Sequence, residues 1–509
     1  MESRDKPSIP PSGSYQIGVS RPPLEIEDLP TPEKVFNLKR IGLAELLFIV
    51  MGPAMIALSL AVGSGEWMLG PLAVGQYGFK GIGWVILVSI ILQTCYNIEL
   101  ARFTIATGEP PIMAFGRTPP GFLLWVPLAL CSFYMAFILG GWAVGAGSSL
   151  FALFTGRANL PQELGTVRGL GILLLLSTFL FVSFGRRIER SLEISQGIFM
   201  TFVLTGLVLV TLAVVPLDYW GQALLSLVTP AAPPKGTDPS LLGALAGFAG
   251  LASGLNFMVI GYYREKGYGM GHKTGYMPGL FGGGKMQKIL PSGKIFPDDA
   301  KNTALWKRWF RFLLADQWGI FFFGCLIGIM MPCILVGYLS SLPGATPPNK
   351  ASILVYAALQ LGQHYGPVLF GWALLMGFFL LYTTQLLILE SLTRNATDAV
   401  YGVSARVREW VKHDARRIYY PLMFLLVMVI SVMIHLALPV DLIVISANLT
   451  NLAAMIFPLV MIYLNRQLPK AARIRWWSCL VMVANVVFFG FFFINFVVVK
   501  LTGSPLVRF

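Results

Sequence analysis

Apolar residues run along this chain in eleven long blocks separated by short polar or Gly/Pro-rich stretches. Apolar blocks of ~20 residues with few charges predict helices that cross a bilayer. The blocks cover about 44–78, 81–104, 121–154, 167–184, 191–216, 240–262, 309–338, 366–392, 418–438, 440–464 and 476–500. They predict an all-α polytopic membrane protein with about 11 transmembrane helices in one domain, residues 44–502. Residues 1–43 are polar and Pro-rich without an early apolar core. That predicts no signal peptide and a largely disordered cytoplasmic tail, with a short amphipathic stretch from Glu33 to Arg40.

Two blocks are interrupted in the same manner. The first reads Leu60-Ala61-Val62-Gly63-Ser64-Gly65-Glu66-Trp67, and the sixth reads Gly250-Leu251-Ala252-Ser253-Gly254-Leu255-Asn256-Phe257. Glycine loosens a helix, and non-helical backbone at membrane depth survives only where protein or a cavity surrounds it. A carboxylate there, Glu66, is costly and marks a functional site by default. Paired interruptions that open two groups of five spans suit a five-plus-five inverted repeat with an eleventh helix added, and they point to a transporter's substrate site. The candidate substrate-binding residues are Gly63, Ser64, Gly65, Glu66, Ala252, Ser253, Gly254 and Asn256. Glu66, Ser253 and Asn256 are the candidate metal ligands. The plainer alternative is two packing kinks, with Glu66 paired to a buried partner.

Composition narrows the class without changing it. Hydrophobic residues make up 56% of the chain and charged residues 12%, against roughly 25% charged in soluble domains. The formal charge of +14 would suit nucleic acid, but its placement argues for membrane lipid instead. With the N-terminus inside, 31 of the 38 Lys and Arg fall on the cytoplasmic side, a strong positive-inside bias. This predicts a cytoplasmic N-terminus, an outer C-terminus and residence in the plasma membrane, with no nucleic-acid partner. The five cysteines all lie in apolar blocks without metal spacing, which predicts buried packing. No cofactor is expected. No cluster of His, Asp and Glu at membrane depth supports an enzyme, and His272, His364, His413 and His435 are scattered.

The Gly/Lys-rich loop 263–308 contains Gly279-Leu-Phe-Gly-Gly-Gly284-Lys285-Met286. A phosphate loop needs Ser or Thr after the lysine and a preceding strand. Met286 fails the first condition, so a cytoplasmic loop facing water or lipid is the expectation. Asn395-Ala-Thr397 matches a glycosylation acceptor but falls on the inner side.

Gly52-Pro53 before the broken span, Gly75-Gln-Tyr-Gly-Phe-Lys80, Gln385, Leu442–Ser446 through Phe457-Pro458, and Asn465-Arg466-Gln467-Leu468 resemble the Nramp-type divalent metal transporters. The resemblance spans most of residues 45–500. It implies a LeuT-like fold and transport by alternating access. The motifs depart from that family where its metal binds. Its Asp-Pro-Gly-Asn falls on Gly63, Ser64, Gly65 and Glu66, and its Met-Pro-His on Ala252, Ser253 and Gly254. The soft thioether is therefore missing, and the third block carries no Asp, Glu or His, which sets this chain apart from the family's proton route.

Two substrate classes follow. One carboxylate with Ser, Asn, carbonyls and water is an oxygen-rich site that suits partly hydrated Mg²⁺ or Mn²⁺. Gly63-Ser64-Gly65 is also similar to the Gly-Ser-Gly of amino-acid and polyamine transporters of that fold. There, free amides hold a substrate carboxylate, and Glu66 would hold an amine. Polar residues deeper in the blocks are candidates for a coupling ion or a gate: Thr383, Thr384 and Gln385 in the eighth, Asn448 in the tenth, and Asp316 in the seventh. Each has a structural alternative in helix-backbone or interhelical bonding.

Overall fold

The computed structural model describes residues 24–116, 118–183, 188–251, 254–273, 293–403, 405–412 and 414–507. Among these, ten helices are long and apolar enough to cross a membrane. They are Pro53–Tyr77, Gly83–Thr107, Phe122–Thr155, Pro161–Ser183, Leu192–Val214, Ala300–Ser340, Pro367–Tyr401, Arg416–Met433, Pro439–Arg466 and Trp476–Thr502. The expected sixth span is present as two short helices, Pro239–Phe248 and Asn256–Lys266. Together these account for the eleven blocks.

Polarity is distributed as a bilayer requires. Leu123, Val368 and Leu501 are 80–88% exposed, whereas Asn97, Gln385 and Asn448 are buried. Apolar side chains thus coat the surface and polar ones face the bundle interior. Cys325 and Cys333 are buried as expected, but Cys131 lies on the outer surface and Cys95 and Cys479 are half-buried. An apolar block does not distinguish a lipid-facing from a core-facing side chain.

The first span is the axis. Its apolar window is 94% buried within the protein, against 28% for the fourth and fifth spans. It is built in three pieces. Pro53–Ala61 is α-helical, Gly65–Leu69 is π-helical, and the chain continues without a break into the α-helix Gly70–Tyr77, where Pro71 supplies no N–H to the preceding turn. The third span bends at Gly140, whose φ of 70° suits glycine and whose missing Cβ leaves room for Ile430 and Ile434.

Several boundaries differ from the apolar blocks. The seventh span begins nine residues early, at Ala300, because its first turns are amphipathic: Leu305, Trp306, Trp309 and Leu313 are buried while Lys301, Lys307 and Arg311 are exposed. The eighth runs on to Val403, carrying Glu390, Arg394 and Asp398 inside the protein. Two further helices, Leu217–Val228 and Ile353–Tyr365, lie in the connections after the fifth and seventh spans.

A largely disordered tail was the expectation for residues 1–43, but the described part of it is docked. Glu25–Ile26 pairs in parallel with Lys294–Ile295. The Leu29 N–H donates to Asn302 Oδ1 at 2.8 Å, and Trp309 Nε1 donates to the Pro30 carbonyl at 2.9 Å. Glu27 meets Lys273 and Lys294, Asp28 meets Lys301, and Glu33 meets Arg308. Polarity alone suggested disorder; complementary charge on the 294–308 segment supplies the attachment.

Candidate substrate site

The two interruptions meet. A Cβ built at Gly65 would stand 1.9 Å from the Phe248 carbonyl oxygen, so the first span's break lies directly on the end of the sixth span's first half. Only glycine permits that approach. A Cβ at Gly63 would stand 2.2 Å from Thr384 Oγ1, which brings the eighth span onto the same break. Gly254, with φ of 114°, faces Phe133 of the third span.

Polar groups of neighbouring spans bond the backbone of both broken spans. Helix ends leave backbone groups without intrahelical partners. At the end of Pro239–Phe248, Ser89 Oγ donates to the Ala246 carbonyl at 2.6 Å and Gln93 Nε2 to that of Gly247 at 3.2 Å. From the tenth span, Asn448 Nδ2 donates to the Ser240 carbonyl at 2.8 Å and Asn451 Nδ2 to that of Gly243 at 3.0 Å. At the start of the first span, Asp316 accepts from the Gly52 N–H at 3.1 Å, the Ala54 N–H at 3.0 Å and the Tyr263 hydroxyl at 2.6 Å. Gln317 Nε2 in turn donates to the Tyr263 hydroxyl at 2.8 Å. The Asp316 carboxylate therefore caps a helix from another span, and negative charge there also complements the helix dipole.

Glu66 is fully buried. Its Oε2 accepts from the Gly63 N–H at 2.9 Å, and its Oε1 has no hydrogen-bond partner. Its segment, Gly65–Leu69, packs against the seventh span. Ser64 points elsewhere: its Oγ accepts from Trp142 Nε1 at 2.9 Å. A void of about 10 Å³ lies between the breaks, with Ser64, Gly65, Trp142, Phe248, Leu255 and Thr384 among its walls. That is room for about one water, so this is a closed arrangement. Trp142 packs against Phe248 and Phe137, giving the void an aromatic wall.

The candidate residues from the sequence are not all gathered at one point. Gly63, Ser64, Gly65 and Thr384 converge on the breaks. Asn256 instead donates to Asn97 of the second span, leaving Asn256 Oδ1 and Asn97 Nδ2 without partners. Thr383 Oγ1 and Thr384 Oγ1 bond their own helix, at 2.8 Å to the carbonyls of Phe379 and Leu380. Both ends of the buried Gln385 amide lack partners. Ala252 and Ser253 lie outside the described residues, as do His413 and the Gly279–Met286 stretch. Among the described residues no three of His, Cys, Asp and Glu gather as a metal site.

A charged cluster was not anticipated. Arg394 Nε donates to Glu390 Oε1 at 2.6 Å and Arg394 also meets Glu265. Arg264 meets Asp398 at 3.2 Å, and the Tyr262 and Tyr419 hydroxyls both donate to Glu390. It ties the second half of the sixth span to the eighth and ninth. The signal available was the i, i+4 spacing of Glu390 and Arg394 across the end assigned to the eighth block.

The sequence matches no protein-family model and no curated protein. The structure, by contrast, superposes on solved transporters. One is MhsT in complex with L-phenylalanine, at a TM-score of 0.56 and 16% identity over 87% of this chain and 97% of that one. Another is the manganese transporter of Eremococcus coleocola in complex with an aromatic bis-isothiourea compound, at a TM-score of 0.57 and 13% identity over 92% and 90%. A point mutant of the same manganese transporter matches at 0.55 and 13%, over 95% and 92%. This chain has the LeuT fold. Spans one to five and six to ten form the two inverted halves, and the broken helices are the first of each half.

Proposed function

We propose that this protein is a secondary transporter that works by alternating access and carries a cation through the breaks of the first and sixth spans, with Glu66 as its central ligand. The observation that carries this reading is the state of the Glu66 carboxylate. It is buried at membrane depth, one oxygen is held by the Gly63 amide, and the other is unpartnered. A buried carboxylate needs a positive partner or a metal. One amide of the break, that of Gly63, is occupied by the protein's own carboxylate, which supports a substrate that brings positive charge.

A divalent ion of the Mg²⁺ or Mn²⁺ type suits the oxygen donors at the breaks. With one carboxylate it would keep part of its water shell, as hard cations readily do. The packing of Thr384 on Gly63 supports a coupling-ion site that uses the lone pairs its hydroxyl keeps while donating to Leu380. A second reading is favoured by the aromatic wall of Trp142 and Phe248: an amine-bearing organic solute, such as an amino acid, whose ammonium meets those rings. The positive-inside bias of the loops supports a cytoplasmic N-terminus and an outer C-terminus, in a plasma membrane.

The test is uptake of Mn²⁺ and of Mg²⁺ into proteoliposomes by wild type and Glu66→Gln, with a pH dye inside. Saturable entry of either ion that Glu66→Gln abolishes is the expected result, and the dye reports any accompanying proton. Absence of entry by folded, inserted protein refutes the metal reading. Uptake of labelled amino acids in the same vesicles then decides the second.

A further inference from the structure

A second cavity, of about 680 Å³, lies away from the breaks, between the second span, the amphipathic start of the seventh and the start of the eleventh. Its rim is basic. Lys307, Arg311, Lys470, Arg473 and Arg475 line it, and all five are exposed. The one carboxylate in its wall, Glu99, is neutralised by Arg102 at 2.8 Å and further bonded by Asn465. At the edge, Asp298 accepts from the Lys470 N–H. Among the described residues, Lys307, Arg311 and Arg475 form no ion pair.

The interior adds two anion-seeking features. The helix Trp476–Thr502 begins here with no side-chain cap, so its first amides are open. Ser478, in its first turn, is 2% exposed, lines the cavity, and its Oγ has no partner. The remaining wall is apolar, with Ile98, Leu314, Val481 and Met482. Trp476 and Trp477, 75% and 45% exposed, mark the level of a membrane interface. Basic rim, open amides, a free hydroxyl and an apolar wall at that level match one ligand chemistry: a phosphodiester carried on acyl chains.

We propose that this cavity binds the headgroup of an anionic glycerophospholipid from the leaflet on the basic side of the protein. The phosphodiester sits between Ser478 Oγ and the amides at the start of the eleventh span. Lys307, Arg311 and Arg475 supply the countercharge, and the acyl chains run along Val481 and Met482. The proposal stands independently of the substrate carried through the breaks.

Native mass spectrometry of the full chain in detergent tests it, with dioleoyl phosphatidylglycerol, dioleoyl phosphatidylcholine and inorganic phosphate as probes. Phosphatidylglycerol is expected to bind at least about tenfold more tightly than phosphatidylcholine. Each basic side chain at a membrane surface contributes about a fivefold factor, so Lys307→Ala/Arg311→Ala/Arg475→Ala is expected to weaken phosphatidylglycerol binding by roughly a hundredfold. Lys39→Ala/Arg40→Ala/Lys412→Ala removes the same charge from exposed positions elsewhere and should leave binding unchanged. Ser478→Ala should weaken it severalfold. Equal binding of the two lipids, or wild-type affinity in the first triple variant, overturns the proposal. Inorganic phosphate binding as tightly as phosphatidylglycerol overturns the lipid in favour of a soluble anion.

Discussion

Gly65→Ala tests whether the two breaks truly meet. The new methyl would stand 1.9 Å from the Phe248 carbonyl oxygen and 2.7 Å from its carbon. Both are backbone atoms, so no side-chain rotation relieves the clash; the first and sixth spans must separate by more than 1 Å. Alanine at a helical position gains up to about 1 kcal/mol over glycine. Overpacking typically costs 1–3 kcal/mol, and a clash with fixed backbone belongs at or above the top of that range. The clash wins, leaving a net loss of about 2 kcal/mol or more, on the order of thirtyfold in the closed-state equilibrium. Gly250→Ala is the control. It also lies at the sixth-span break, but the nearest atoms to its Cβ would be those of Gln93 at 3.5 Å, an ordinary contact. It should be neutral or slightly stabilising, because alanine restricts the unfolded chain. Thermal unfolding in detergent, read beside uptake in proteoliposomes, separates the two. Wild-type stability and transport in Gly65→Ala would refute the close approach and the site built on it.

Three further outcomes follow from particular contacts. Asp316→Ala should destabilise by about 2 kcal/mol, since it frees the Gly52 and Ala54 amides and the Tyr263 hydroxyl; Asp316→Asn, which keeps an acceptor, should lose less in the same melting assay. Arg394→Ala should cost about 3–5 kcal/mol by leaving Glu390 buried without its cation and Glu265 with only the 3.7 Å contact to Arg264, and equal expression and melting of that variant would count against the cluster's role. Hydrogen bonds from Lys273 and Lys294 hold the Glu27 carboxyl below its ordinary value. A depressed folded-state value means that its contribution to docking the N-terminal segment is complete above the ordinary carboxylate range. It is lost as pH falls through the lowered value. Limited proteolysis between residues 24 and 43 should therefore accelerate in acid and, because the pairs are partly exposed, in high salt.

The chain's own pattern determined the larger features. Eleven apolar blocks gave eleven spans, and the glycines of the first and sixth gave the two breaks, because hydrophobic length and loss of helix propensity act locally. Glu66 was legible as a candidate because a carboxylate inside an apolar block is costly enough to stand out before its neighbours are known. What each polar side chain touches was decided by tertiary structure. Asp316 turned out to cap the first span, Asn256 to pair with Asn97, and Glu66 to hold the Gly63 amide beside the seventh span while the aromatic void lies against Ser64. Apolar length also missed the ends of the seventh and eighth helices, whose charged turns are helical because other elements cover them. The sequence period sets which residues share a face of one helix; which helix that face meets depends on packing among spans far apart in the chain, and no local pattern encodes it.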